Sequence, residues 1–167
     1  PSLGREVPKT PAGIMPRVTE RGRVYRSEAV VLRRQDLGEA DRLLTLFTPQ
    51  HGKLRAVAKG VRRPGSKKAG HLEPFTLTTL LLARGRELDI ITQAEAVKTF
   101  PHLRDDLIRL GLAAYVIELT DRFGIQESDS QALFQLVVNT LERLDCDPSP
   151  EAALRYFQVR LLDLAGY

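Results

Sequence analysis

The 167 residues suffice for one ordinary domain or two small ones, and 43% apolar with 28% charged side chains places the chain in the globular range, outside wholesale disorder. No run approaches the roughly 18 apolar residues of a membrane span, and no secretory signal is recognisable at the start. The single cysteine, Cys146, excludes an internal disulfide framework and a multi-cysteine zinc site within these residues, so the expected setting is reducing and cytoplasmic.

The net charge of +4 is unevenly shared. Residues 1–100 carry 19 basic and 10 acidic side chains, whereas residues 101–167 carry 6 and 11. A basic half suited to a polyanion thus precedes an acidic half with another task; two solvated surfaces differing by chance is the plainer alternative.

Residues 1–22, rich in Pro, Gly, Arg and Thr and without apolar period, read as a mobile tail or an engineered end. Over 23–98, short apolar runs predict strands at 24–34, 42–48, 53–61, 75–84 and 88–97, punctuated by Pro49-Gln50-His51-Gly52, Arg62-Arg63-Pro64-Gly65-Ser66 and Arg84-Gly85-Arg86. Five strands joined by tight turns without intervening helices predict an antiparallel meander closed as a small barrel such as the OB fold. Over 99–167 the period becomes 3.6. Leu103, Leu107, Leu110, Ala114 and Ile117 predict one helix ending at a left-handed Gly124. A second opens at Ser128 with Gln131 as its capping-box partner and carries Leu133, Leu136, Val137, Thr140, Leu141 and Leu144 on one face. The third starts at Ser149-Pro150, carries Leu154, Phe157, Leu161 and Leu164, and ends at Gly166. The expected class is α+β: a five-stranded antiparallel barrel followed by a bundle of about three helices, with the boundary near 100–102 and Phe100 a candidate contact between the halves.

The third strand is the most informative segment. In Lys53-Leu54-Arg55-Ala56-Val57-Ala58-Lys59, alternation puts Leu54, Ala56 and Ala58 on one face and Lys53, Arg55 and Lys59 on the other. Small apolar residues suit the interior of a small barrel, and the row of cations suits a phosphate backbone. Arg62, Arg63, Lys67 and Lys68 extend that row into a loop without acidic residues before Glu73, a candidate nucleic-acid groove. Lysines guarding an exposed strand edge would give the same pattern. Aromatics are scarce: the barrel half offers Tyr25, Phe47, Phe75 and Phe100, some needed for the core. Binding should therefore rest on phosphate contacts, insensitive to sequence and sensitive to salt, with single and double strands both accepted.

Conventional catalytic patterns are thin. Gly60-Val61-Arg62-Arg63-Pro64-Gly65-Ser66-Lys67 nearly spells a P-loop, but Ser and Lys are inverted and no helix is expected to follow. His51, His71 and His102 have no metal-ligand spacing. Cys146 lies between Asp145 and Asp147, which disfavour a thiolate, and Asp105-Asp106 suits a helix dipole better than acid–base work. No enzyme and no cofactor are expected within these residues.

Three blocks carry a family likeness: Ala29-Val30-Val31-Leu32, then Leu37-Gly38-Glu39-Ala40-Asp41-Arg42-Leu43-Leu44-Thr45-Leu46-Phe47-Thr48, then His51-Gly52-Lys53-Leu54-Arg55-Ala56-Val57-Ala58-Lys59-Gly60-Val61-Arg62. With Leu72-Glu73-Pro74-Phe75 and Glu95-Ala96, they make residues 24 to 167 resemble the bacterial recombination mediators of the RecO family. The resemblance implies an N-terminal OB fold and a helical domain. It also implies binding of single- and double-stranded DNA, annealing of complementary strands, and action with RecR to load the RecA recombinase onto strands coated by single-strand-binding protein. By position, the family's basic strip corresponds to Arg55, Lys59, Arg62, Arg63, Lys67 and Lys68, with an extension to Arg33, Arg34, Arg42, Arg84 and Arg86. Many members continue past the equivalent of Tyr167 into further helices, often with a four-cysteine zinc motif; the expectation is a truncated chain, with any zinc in the part beyond. Two other readings stay open: an adaptor binding proteins through the barrel edge and acidic helices, and an RNA-binding OB module.

Overall fold

In the computed structural model of the chain, residues 23–124 and 129–167 are described, so the expected tail over 1–22 and the helix opening at Ser128 lie outside them. The run Ala29-Val30-Val31-Leu32 explains the architecture. It belongs to β1 (Val24–Leu37), and all four residues are buried because both faces of the strand are covered. Ala29 and Val31 point into one core, Val30 and Leu32 into another. Near its start β1 alternates instead, with Ser27 buried between exposed Arg26 and Glu28.

The remaining strands are β2 (Asp41–Thr48), β3 (Gly52–Ala58), β4 (Leu77–Ala83) and β5 (Asp89–Lys98). β1 pairs with β4 along its first half and with β2 along its second, which closes the barrel in the order β1-β2-β3-β5-β4. The expectation of a wholly antiparallel sheet is corrected here. β5 runs parallel to β3 at Ala56–Asp89 and Val57–Ile90. The cause is topological: β4 returns to β1 rather than to β3, and its hairpin partner β5 then fills the remaining gap beside β3. The connection from β3 to β4 includes a 3-10 turn over Ala69–His71 and inserts Val61 and Leu72 into the barrel core. β3 stops at Ala58, short of the expected limit at 61, so Lys59 begins a loop.

Four helices follow: α1 (Pro101–Asp105), α2 (Leu107–Phe123), α3 (Gln131–Cys146) and α4 (Pro150–Leu164). The first predicted helix is broken at Asp106, whose carboxylate caps α2 by accepting the amides of Ile108 and Arg109 at 2.9 and 3.1 Å. The break rotates the expected stripe. Leu107 is 84% exposed and Ala114 is exposed, while Ala113, Val116, Ile117 and Thr120 face inward. Gly124 is not left-handed (φ −67°). A Cβ there would lie 2.8 Å from the Thr120 carbonyl and 3.3 Å from the Phe47 ring, so close approach accounts for the glycine. α3 begins at Gln131, its amide held by Asp129, and its predicted face is buried from Leu136 to Leu144 with Leu133 half-buried, supplemented by Phe134 and Val138. α4 buries Ala153, Phe157 and Leu161, whereas Leu164 reaches solvent.

The strand and helix regions share a core. Val30, Leu32, Phe47 and Leu77 of the barrel pack with Phe100, Leu103, Val116, Ile117 and Phe134. Phe100, buried and at φ 53°, turns the chain from β5 into α1. Arg104 fastens this junction, donating to the carbonyls of Thr99 and Pro74 at 2.6 Å each and to the Thr76 hydroxyl at 2.8 Å. Among the described residues, no helix is long and apolar enough to cross a membrane.

Candidate nucleic-acid interface

The two sequence blocks richest in family likeness meet in space. The turn between β1 and β2 receives the loop that follows β3: the Gly60 amide donates to the Asp41 carboxylate at 2.7 Å, and the Arg62 amide to the Ala40 carbonyl at 2.9 Å. The Arg62 guanidinium donates to the carbonyls of Gly38 and Asp41 at 2.5 and 3.1 Å and lies 3.6 Å from Asp36, which also pairs with Arg42 at 3.3 Å. Arg62 thus holds loop against turn, while Arg42 braces the β1–β2 hairpin itself.

Other cations of the expected strip also have intramolecular partners. Arg33 pairs with Asp121 of α2 at 2.8 Å, and Lys53 with the same carboxylate at 3.1 Å, so this pair ties the barrel wall to the helical region. Arg34 pairs with Glu73 at 2.6 Å. Among the described residues, Arg55, Lys59, Arg63, Lys67 and Arg86 are exposed, and no ion pair or hydrogen bond engages their side chains. These are the cations of the expected strip available to a polyanion.

Arg55 and Arg86 line a cleft of about 480 Å³ at the mouth of the barrel, with Tyr25, His51, Lys53, Arg84 and the carboxylates Glu87 and Asp89. The rings of Tyr25 and His51 meet edge to face with centroids 5.1 Å apart, and the Arg84 guanidinium lies 4.8 Å over the Tyr25 ring. The Tyr25 hydroxyl donates to the Asp89 carboxylate. Burial first, then this anionic acceptor, pushes the phenol well above its ordinary range, so it stays protonated. Asp89 also accepts the Gly85 amide at 3.2 Å, which shapes the β4–β5 turn carrying Arg84 and Arg86. Gly85 is required there, since a Cβ would fall 1.9 Å from the Leu88 carbonyl oxygen. The cleft therefore combines a ring platform, a planar cation stacked on it and flanking free arginines. These are the components with which single strands are held: bases on π-faces, phosphates on cations.

Lys67 and Lys68 do not join this cleft. With Arg26 they line a second one of about 550 Å³, on the outer wall formed by β4 and β5. Lys68 is partly occupied, its ammonium donating to the carbonyls of Lys59 and Ile91 at 3.3 Å each. The sequence pattern shows all these cations as one row and Tyr25 only as one of four barrel aromatics; it does not single out His51 or Arg26. Strand alternation held a partial signal, because adjacent Tyr25 and Arg26 must face opposite sides of β1. The role of His51 depends on the turn returning to β1, which no local pattern gives.

The remaining candidates for chemistry serve structure. His71 Nδ1 accepts the Ala96 amide at 2.9 Å, which places its proton on Nε2. Asp145 accepts the Leu103 amide at 2.9 Å beside Cys146 and His102. Among the described residues, no group of three or more His, Cys, Asp or Glu could hold a metal ion.

Family models place the chain. One described as the N-terminal part of recombination protein O matches residues 23–100, and one described as its C-terminal part matches residues 104–167. A DNA repair protein RecO from Roseiflexus sp. (strain RS-1) is 46% identical over 147 residues, covering 88% of this chain and 52% of that protein. A DNA repair protein RecO from Pelotomaculum thermopropionicum is 42% identical over 145 residues, covering 87% and 56% respectively. The chain thus spans about half the length of the curated relatives it matches. It belongs to the RecO family of DNA repair proteins.

Proposed function

We propose that this chain supplies the DNA-holding part of a recombination mediator in DNA repair, with the barrel acting as an OB fold. Single-stranded DNA lies across the mouth cleft, its bases against Tyr25, His51 and the Arg84 plane, its phosphates on Arg55 and Arg86. The observation that carries this reading is the coincidence of unpaired arginines with the Tyr25–His51 ring platform. None of these groups selects one base over another by hydrogen bonding at its edge, so binding is insensitive to sequence, and duplexes bind through the same phosphates. Neutralising phosphates lowers the repulsion between complementary strands, so annealing needs no nucleotide and no cofactor. By family likeness the partners are RecR and single-strand-binding protein, with RecA served indirectly, in the cytoplasm at the nucleoid.

Fluorescence anisotropy of a labelled single strand at three salt concentrations tests the reading. Affinity is expected to fall steeply with salt, and Arg55→Glu/Arg86→Glu to weaken binding and flatten the dependence. Unchanged affinity in that variant, or an absolute ATP requirement for annealing, would overturn it. Competition by matched RNA distinguishes an RNA-binding module. A protein-binding role is supported for the helical region by Leu107, Ile108 and Tyr115, exposed on α2.

A further inference from the structure

We infer that the wall cleft of Arg26, Lys67 and Lys68 grips the backbone of a second nucleic-acid strand, so that two strands are carried on opposite sides of β1. This rests on the mouth cleft being a single-strand site. The two clefts meet at consecutive residues of one strand: Tyr25 lines the mouth, Arg26 lines the wall, and alternation turns their side chains to opposite faces.

The linings differ in a way that assigns different work to each. The mouth has rings, arginines and Lys53, with two carboxylates, Glu87 and Asp89, of which Asp89 is taken up by the Tyr25 hydroxyl and the Gly85 amide. The wall has Arg26, Lys67 and Lys68 among neutral polar side chains such as Thr79 and Gln93 and the aliphatic Leu80 and Leu81, with no aromatic residue and one carboxylate, Glu95. Among the described residues, the side chains of Arg26 and Lys67 are engaged by no ion pair or hydrogen bond, and Lys68 gives two of its three ammonium protons to carbonyls. A cationic surface of hydroxyls, amide and short aliphatic side chains, without an aromatic stacking partner, holds sugar and phosphate and leaves bases outward. Bases left outward are free to pair. A strand held by its bases at the mouth must release them to form a duplex, whereas one held by its backbone on the wall presents them already.

The experiment compares Arg26→Glu/Lys67→Glu with Arg55→Glu/Arg86→Glu in two assays: anisotropy on an oligothymidylate, which cannot pair with itself, and fluorescence-transfer annealing of two short complementary strands. The wall variant is expected to keep oligothymidylate affinity within about twofold and to anneal about tenfold more slowly, because charges on the second strand go unneutralised. The mouth variant is expected to lose both. A milder pair, Arg26→Gln/Lys67→Gln, should fall between, and thermal unfolding identical to the parent shows that the wall variants are folded. Annealing at the parental rate in the wall variant overturns the proposal and leaves that cleft to another anion, such as an acidic protein segment. Equal loss of oligothymidylate binding in both variants overturns it too, since the clefts would then form one groove. Parental binding by the mouth variant refutes the single-strand site itself, and the two-sided arrangement with it.

Discussion

The Gly60 amide donates to the Asp41 carboxylate at 2.7 Å, locking the loop after β3 onto the β1–β2 turn. This bond joins the two neighbouring sequence blocks, 37–48 and 51–62, that carry most of the family likeness: each is the other's docking surface. Asp41→Ala removes a charged acceptor from a partly buried amide, and the expected cost is about 1–2 kcal/mol in urea unfolding. Asp41→Asn keeps an acceptor and should cost less.

Arg33 and Arg55 are both exposed arginines of the barrel, yet only Arg33 has a carboxylate partner, Asp121 at 2.8 Å. Arg55→Ala and Arg86→Ala are each expected to reduce the slope of log affinity against log salt by about 0.7 for a single strand. Arg33→Ala and Arg34→Ala should leave the slope nearly unchanged. Anisotropy titrations across salt separate the two groups.

Arg104 bridges two strained turns. Its partners Pro74 and Thr76 flank Phe75 at φ 68°, and its third partner, Thr99, precedes Phe100 at φ 53°. Burial lowers the guanidinium pKa from its ordinary value, and Glu73 opposes that shift. Arg104→Ala strands two carbonyls and a hydroxyl, with an expected loss of about 2–3 kcal/mol by denaturant unfolding. Arg104→Lys, which cannot span three acceptors with a planar fork, should recover only part of it.

The Tyr25 phenol titrates above its ordinary value of 10.0 because burial and then Asp89 oppose ionisation. Its folded-state pKa is raised, so the associated stability is complete below pH 10 and falls as pH rises beyond it, where the unfolded chain ionises and the folded one does not. Denaturant midpoints measured from pH 8 upward should decline more steeply past pH 10 for the parent than for Tyr25→Phe. Equal slopes would refute the assignment.

Much of this fold was legible locally. Strand positions followed from apolar runs ending at Gly and Pro, and α3 and α4 from unbroken 3.6-residue stripes. The parallel β3–β5 pairing was not, because strand order depends on which neighbour β4 chooses rather than on any residue of β5. The α1–α2 break was hidden in Asp106, which reads as a favourable helix-start charge whether it lies within a helix or caps a new one. The cationic strip was legible as a set of residues but not as a surface. Asp121 and Glu73, which neutralise Arg33 and Arg34, lie far along the chain, and the parting of Lys67 from Arg55 depends on how the barrel closes.

β1 is buried on both faces over Ala29, Val30, Val31 and Leu32, so the barrel has no finished outer skin of its own on that side. A fragment ending at Lys98 would present Val30, Leu32, Phe47 and Leu77 to water as a sticky flank and is expected to self-associate, visible by light scattering. The intact chain should instead melt in one calorimetric step, because strands and helices share side chains that neither can surrender alone. Recombination by cutting and joining at this seam would therefore yield an insoluble half, and gene fusions that borrow the DNA-holding barrel must carry the helices along.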